Sequence, residues 1–252
     1  MTSGQGTVSR TAELSRSLAA TRDRIAAACS AAGRDPGEIT LIAVTKTHPA
    51  ADVLALAGLG LTDFGENRDQ EAAPKAAAVA AALTAAEAAA PVRWHFVGQL
   101  QSNKAHSVAA YASVVHSVDR IRLVRHLGAA ALSTPGRNAA DAALVCLVQV
   151  SLDGDQNRGG VPADRVLEIA EAIEAEPGLA LGGLMAVAPL DEDPLAAFAP
   201  LRQLSAAVRS VNPTATVVSA GMSGDLEAAI QCGATHLRIG TALLGDRRPP
   251  VL

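Results

Sequence analysis

The sequence predicts a (β/α)8 barrel, the TIM-barrel fold of the α/β class. Eight short apolar runs alternate with helix-type stretches, a pattern typical of parallel βα units. The runs are nearly continuous in apolar residues, as expected of strands that are buried on both faces. The length of 252 residues matches the roughly 250 residues of this fold. An open, doubly wound sheet is the alternative that the same alternation permits.

The predicted elements follow one another in a regular order. An extra helix over residues 8–32 comes first, with its arginines expected on the outward face and Gly33 as its end. The predicted strands are 39–45, 62–65, 92–97, 113–117, 143–150, 181–186, 216–219 and 236–239. The predicted helices are 50–59, 70–89, 102–111, 120–132, 162–175, 194–210 and 226–231. We expect a single domain over 1–252, with residues 1–10 and 247–252 loose.

Composition excludes several classes of protein. The net charge of −4 and the sequence pI of about 5.9 argue against a nucleic-acid or anionic-membrane surface. The three cysteines lie far apart without a CxxC pair, which argues against a disulfide scaffold or a metal site. The first 18 residues have no apolar core, and no apolar run is long enough to span a bilayer. We therefore expect a cytoplasmic protein.

The first candidate site residue is Lys46, which follows the apolar run of the first strand. Polar residues at this position matter because barrel sites lie at the carboxyl ends of the strands. Partial burial lowers the pKa of a lysine amine and allows it to form a Schiff base with an aldehyde. The alternative is a lysine that extends its ammonium group to solvent.

Two loops rich in glycine and serine follow strands seven and eight, where barrels often bind phosphate. The first contains Ser219, Gly221, Met222 and Ser223, and the second contains Gly240 and Thr241. Small residues let the backbone approach an anion closely. Together with a Schiff-base lysine, these loops predict an aldehyde that carries a phosphate, either pyridoxal 5'-phosphate (PLP) or a phosphorylated sugar.

Four further residues lie in or directly after predicted strands. Arg238 in strand eight needs a partner if it is buried, either a carboxylate or a ligand. Asn67 follows strand two and offers both a donor and an acceptor. His95 in strand three is more typical of a hydrogen-bonded core residue than of a catalyst, and Met185 in strand six is typical of core packing.

Seven motifs between about residues 39 and 245 together resemble the pyridoxal phosphate homeostasis proteins, a family similar to the barrel domain of alanine racemase standing alone. The motifs are AVTKTHP, FGEN, WHFVGQLQSNK, HSVD, GLMAV, GMSGDLEAAI and RIGTALLG. The resemblance implies that Lys46 carries PLP as a Schiff base and that Arg238 faces the pyridine nitrogen. It implies one set of cofactor-binding residues: Lys46, Asn67, Met185, Ser219, Gly221, Met222, Ser223, Arg238, Gly240 and Thr241.

The resemblance implies a protein that buffers PLP and delivers it to apo-enzymes, with no catalytic residue. A cation at the pyridine nitrogen weakens the cofactor as an electron sink. The only tyrosine, Tyr111, lies in a predicted helix, so the second base of a racemase is missing. No β-rich second domain is expected after the barrel, which leaves the site open and favours a monomer. A weak racemase and a Schiff-base aldolase acting on a phosphosugar are the alternatives.

The chain departs from the family pattern at two positions. His48 stands where relatives often have a second lysine, and Arg158 stands where they often have a lysine after strand five. Transfer of cofactor from one lysine to another would lack both partners here.

Overall fold

Eight parallel strands close into a barrel in the computed structural model, which describes residues 9–86, 92–135, 143–155 and 159–245. Each strand pairs with its neighbour in sequence, and β1 pairs with β8. The strands are β1 Thr40–Val44, β2 Asp63–Glu66, β3 Arg93–Phe96, β4 Val114–Val118, β5 Leu144–Val150, β6 Leu179–Ala186, β7 Val217–Ser219 and β8 His236–Ile239. The predicted barrel is therefore confirmed, and the open sheet is excluded.

The helices surround the barrel and mostly begin and end near the predicted residues. They are α1 Arg10–Ala31, α2 Ala50–Gly58, α3 Asp69–Ala85, α4 Ala105–Tyr111, α5 Ile121–Ser133, α6 Val166–Ala175, α7 Pro194–Phe198, α8 Leu201–Val211, α9 Leu226–Gln231 and α10 Thr241–Leu244. The helix predicted at 194–210 is two helices, because Pro200 cannot supply the N–H that continuous helix requires. No helix among the described residues is long and apolar enough to cross a membrane.

The extra N-terminal helix packs against α2, α9 and α10 through one apolar face. Its buried residues recur at helical spacing: Leu14, Leu18, Thr21, Ile25 and Cys29. The prediction that its arginines face outward is wrong for Arg10 and Arg24. Arg10 donates to the carbonyl of Leu244 at 2.9 Å, and Arg24 donates to the carbonyl of Ser223 at 2.6 Å. Residues 1–8 and 246–252, which include most of the predicted loose ends, lie outside the described residues.

The barrel interior is polar at its centre. Outward side chains of the strands join the apolar core beneath the helices, and the alternate positions face the axis. His95, His116, Asp63 and Arg238 lie among these inward positions and are all buried. A 2.9 Å hydrogen bond joins His116 on β4 to Ser219 on β7 and spans the interior, because these strands are not neighbours. This interior differs from the branched apolar layers usual in such barrels.

Two largely enclosed histidines, His116 and His236, predict a loss of stability in mild acid. Burial lowers the pKa of His116 well below its ordinary value and lowers the pKa of His236 to about 4. Below pH ~6.5 the unfolded chain binds a proton at each ring and the folded chain does not, so the free energy of unfolding falls with pH. Well below pH ~6.5 each ring contributes about 1.4 kcal/mol per pH unit, so urea unfolding should show a loss of roughly 4 kcal/mol between pH 7 and pH 5.

Two variants separate this effect from general acid sensitivity. His236→Gln removes one titrating ring and should reduce the pH dependence by about half. His126 is exposed on α5, and His126→Gln should leave the dependence unchanged. Equal free energies of unfolding at pH 7 and pH 5 in the unmodified protein would contradict the prediction.

Candidate functional site

A pocket of about 430 Å³ opens at the carboxyl ends of the strands. It contains seven of the ten predicted cofactor-binding residues: Lys46, Asn67, Met222, Ser223, Arg238, Gly240 and Thr241. These residues come from both ends of the sequence, and closure of the barrel between β1 and β8 brings them together. The pocket therefore combines an amine, a guanidinium group and two loops rich in small residues.

The other three predicted residues do not line this pocket. Met185 and Ser219 are paired across β6 and β7 and are both buried. Gly221 is buried with a φ of 92°, and a Cβ atom there would lie 2.6 Å from the Cβ of Ala229. Glycine at this position lets the loop after β7 lie against α9. Ser219 still contacts the pocket, because it accepts hydrogen bonds from Arg238.

Lys46 comes directly after Thr45, which a buried hydrogen-bond network with Glu66 and Lys75 holds at the end of β1. Thr45 directs its side chain away from the barrel axis and donates to Glu66 Oε1 at 2.7 Å. The buried ammonium of Lys75 on α3 lies 2.6 Å from the same oxygen and donates to the carbonyl of Thr45 at 2.8 Å. Burial raises the pKa of Glu66, and the Lys75 charge opposes that increase. Because neighbouring side chains alternate in direction, anchoring Thr45 outward points Lys46 into the pocket.

The turn after Lys46 has an unusual backbone. Thr47 has a φ of 67°, the left-handed region that a β-branched residue rarely adopts. Its N–H donates to the carboxylate of Glu71, which also lies 2.8 Å from Lys75 Nζ. The α3 side chains thus fix the residues on both sides of Lys46. Strained backbone of this kind persists where the surrounding contacts determine it, often at functional sites.

Arg238 is buried beneath the pocket and is held by neutral groups. Its Nη1 donates to the carbonyl and the hydroxyl of Ser219 at 2.8 and 2.7 Å, and its Nη2 donates to the carbonyl of Ala186 at 2.9 Å. No carboxylate lies within ion-pair distance of it among the described residues. Burial lowers the pKa of Arg238 to about 10, while the charge of Asp225 opposes this. Arg238 is therefore a cation at neutral pH, and its charge faces the pocket.

The two small-residue loops leave backbone donors available. The N–H groups of Ser223, Gly224 and Thr241 have no acceptor among the described residues, although all three residues line the pocket. Ser223 Oγ links the loops by accepting from the N–H of Ala242 at 3.2 Å. Free N–H groups around a concave site suit a phosphate.

Comparison with known proteins identifies the relatives of this chain. The family model of the alanine racemase N-terminal domain matches residues 17–248. A protein of Mycobacterium bovis named pyridoxal phosphate homeostasis protein is 47% identical over 244 residues, which are 95% of each chain. The chain belongs to the family of the pyridoxal phosphate homeostasis proteins. The family resemblance drawn from the seven motifs is confirmed.

Two solved structures extend the comparison. The structure of PipY from Synechococcus elongatus with PLP bound is 30% identical, with a TM-score of 0.72 over 92% of this chain and 100% of that chain. An unknown protein from Bifidobacterium adolescentis is also 30% identical, with a TM-score of 0.84 over 95% of this chain and 98% of that chain. The described part of this homeostasis-family chain contains the barrel and its helices, with no second domain after β8.

The sequence interpretation named His48 only as a departure from the family pattern, and it missed Lys75 and Arg24. His48 lines the pocket, and its Nδ1 lies 3.5 Å from Asp52 on α2. Lys75 and Arg24 contact the site from helices, at positions that ordinary solvent-exposed charges also occupy. No local signal separates them from surface residues, because their partners are distant in sequence. Arg158, the other position that departs from the family pattern, lies outside the described residues.

The contact of Arg24 with the first loop predicts an effect on phosphate recognition. Arg24 donates to the Ser223 carbonyl and pairs with Glu227 on α9. Arg24→Ala should free this loop and weaken PLP binding about three- to tenfold, the equivalent of one hydrogen bond. Affinity for pyridoxal, which lacks the phosphate, should remain unchanged. Fluorescence titration with both ligands measures the difference.

Arg16 provides the matched control for Arg24. It lies exposed on the same helix, and its hydrogen bond within the described part of the chain is to the carbonyl of Ala12 at 3.4 Å. Arg16→Ala should leave both affinities unchanged. Equal weakening of PLP and pyridoxal binding by Arg24→Ala would show that the arginine does not act on the phosphate loop.

Proposed function

We propose that this protein binds PLP through Lys46 and serves PLP homeostasis by buffering the cofactor and delivering it to apo-enzymes. The observation that carries the proposal is one pocket that combines the Lys46 amine, the Arg238 guanidinium and unpaired backbone N–H groups. The names of the relatives and the PLP-bound PipY structure support the same conclusion. Bound PLP supplies an aldehyde for a lysine amine and a phosphate for backbone donors.

The chemistry of the donors suits the two ends of PLP. Lys46 holds the aldehyde as a Schiff base, and Asn67 lies near the ring. The N–H groups of Ser223, Gly224 and Thr241 bind the phosphate, with small residues allowing close approach. Arg238 faces the pyridine nitrogen. Met185, Ser219 and Gly221 support these groups from the surrounding wall.

Arg238 favours cofactor binding without strong catalysis. A cation beside the pyridine nitrogen disfavours its protonation by repulsion between like charges. Enzymes that need a strong electron sink place a carboxylate there instead. Arg238 is fixed by two carbonyls and a hydroxyl, so it cannot move away without losing three hydrogen bonds. Arg238 therefore weakens the cofactor as an electron sink, which disfavours turnover without forbidding it.

The position of Tyr111 also argues against racemisation. Racemisation needs an acid–base group on each face of the substrate, and Lys46 serves only one face. Tyr111 ends α4 and lines an apolar groove of about 660 Å³ between α3 and α4, apart from the Lys46 pocket. We propose that the protein has no robust catalytic activity. It acts as a single-domain monomer in the cytoplasm, with apo PLP-dependent enzymes as its partners.

The proposal is tested by loading the protein with PLP and then offering it an apo-enzyme. Absorbance should show an imine band in the visible range, and borohydride should fix the label on the Lys46 peptide. After removal of free PLP, the loaded protein should restore activity to an apo-aminotransferase faster than spontaneous release into a PLP trap allows. Absence of the band and of borohydride labelling would exclude a Schiff base on Lys46, and restoration at the rate of spontaneous release would exclude delivery.

A weak racemase is separated from this function by one assay. Loaded protein incubated with L-alanine should preserve its optical activity. Sustained loss of optical activity that disappears in Lys46→Ala would favour the enzyme. A colourless protein that borohydride traps only with a phosphosugar would favour the aldolase.

A further inference from the structure

A continuous chain of hydrogen bonds crosses the barrel interior and ends on the pocket arginine. Asp63 Oδ1 lies 2.8 Å from His95 Nε2, and His95 Nδ1 lies 2.9 Å from His116 Nε2. His116 Nδ1 lies 2.9 Å from Ser219 Oγ. The same Oγ accepts from Arg238 Nη1 at 2.7 Å. All five side chains are buried, so bulk water does not compete for these groups.

The chain satisfies all its members in one direction when both histidines are neutral. The Asp63 carboxylate only accepts, so His95 keeps its hydrogen on Nε2 and accepts at Nδ1. His116 then donates from Nε2 and accepts at Nδ1, where the Ser219 hydroxyl donates to it. Arg238 only donates, and it supplies the hydrogen bond that Ser219 Oγ accepts. Each link thus determines the orientation of the next.

The charges at the two ends agree with this direction. Burial alone would raise the pKa of Asp63, but hydrogen bonds from His95 and Arg93 outweigh burial and hold it well below its ordinary value. Burial, more than any neighbouring charge, lowers the pKa of His116. An ionised Asp63, which is also paired with Arg93 at 2.8 Å, thus accepts at one end of the chain, and Arg238 donates at the other.

We propose that His116 and Ser219 are positioning residues for Arg238. Without the acceptor that His116 offers, the Ser219 hydroxyl loses its fixed orientation, and Arg238 keeps only two carbonyls as reliable partners. We call the hydrogen-bonded chain from Asp63 through His95, His116 and Ser219 to Arg238 the relay. Holding an arginine in place costs considerable rotamer freedom, and the relay orients the guanidinium towards the pocket before a ligand binds. His95 and Asp63 set the direction of the relay. The inference rests on the proposed function only where it assigns PLP as the group that Arg238 faces.

Two substitutions of His116 each remove one of its two hydrogen bonds and keep the other. In His116→Asn the amide oxygen takes the place of Nδ1 and still accepts from Ser219, while the contact with His95 is lost. In His116→Gln the amide nitrogen takes the place of Nε2 and still donates to His95, while the acceptor for Ser219 is lost. Ser117→Ala is the control, because Ser117 is buried on the same strand and its hydroxyl has no partner among the described residues.

The first measurement needs no cofactor. Imidazole ¹⁵N shifts at pH 7 should report neutral rings with hydrogen on Nε2 for both His95 and His116. The guanidinium N–H groups of Arg238 should give separate, slowly rotating resonances in the unmodified protein and in His116→Asn, and averaged ones in His116→Gln. A protonated His95, or an Arg238 that stays rigid in His116→Gln, overturns the proposal whether or not PLP binds.

The second measurement connects the relay to the ligand. PLP affinity should fall about tenfold in His116→Gln, the equivalent of one charge-assisted hydrogen bond, and stay within about twofold in His116→Asn and Ser117→Ala. The visible absorbance maximum of bound PLP should shift in His116→Gln alone. Equal effects of the two His116 substitutions would contradict a positioning role. Failure of the unmodified protein to bind PLP would refute the proposed function and leave the cofactor-free result to decide the relay.

Discussion

Lys46→Ala should abolish the imine absorbance band and weaken PLP binding about a hundredfold, or about 2.7 kcal/mol. The covalent bond to the aldehyde requires a lysine amine in the pocket, and Lys46 is the pocket lysine among the described residues. Affinity for pyridoxamine phosphate, which has no aldehyde, should be unchanged. Titration with the two ligands therefore separates loss of the covalent bond from damage to the pocket.

Lys104→Ala provides the matched control for Lys46. Lys104 directs its ammonium to Asp69 at 3.6 Å, and its side chain is partly exposed. The Lys104 variant should retain the band and its sensitivity to borohydride. A band that persists in Lys46→Ala, or borohydride labelling of Lys104 or Lys75, would reassign the attachment site.

Gly183→Ala should cause the largest loss of stability of any single methyl addition in the sheet. Gly183 has a φ of 142° and pairs with Val217 where β6 meets β7. An added Cβ would lie 2.0 Å from the carbonyl oxygen of Val217, a backbone atom that cannot move without opening the ladder. Backbone strain and overpacking together predict a loss of about 3 kcal/mol or more in the free energy of unfolding.

Urea unfolding of Gly183→Ala measures this loss, and Gly58→Ala is its control. Gly58 ends α2, and an added Cβ there meets no atom within 4 Å. Alanine is favoured over glycine in helices, so Gly58→Ala should be neutral or stabilising by up to about 1 kcal/mol. A loss below about 1 kcal/mol in Gly183→Ala would mean that β6 and β7 can separate slightly without cost. The same junction carries the Ala186 carbonyl and Ser219, so Gly183 also determines where the partners of Arg238 lie.

Much of the fold follows from local patterns. Apolar runs of four to eight residues indicate buried strands, and their alternation with helical periodicity indicates a parallel barrel. The observed ends of the strands and helices differ from the predicted ends by a few residues. For example, β6 begins at Leu179, whereas the predicted strand begins at residue 181. The division of α7 from α8 depends on Pro200 and was visible in the sequence, although the prediction ran one helix through it.

The sequence by itself determined the barrel, the lysine after β1 and the two small-residue loops after β7 and β8. Each of these features depends on neighbours along the chain. Because functional sites of such barrels lie at the carboxyl ends of the strands, all of these features are expected at the same end of the barrel. The bracing of the loop by Arg24 and the relay beneath Arg238 were decided only by tertiary structure. Arg24 is 199 residues from Ser223, and His116 is 103 residues from Ser219. Hydrogen bonds of this kind depend on which inward positions face one another after the barrel closes, and no local pattern specifies that register.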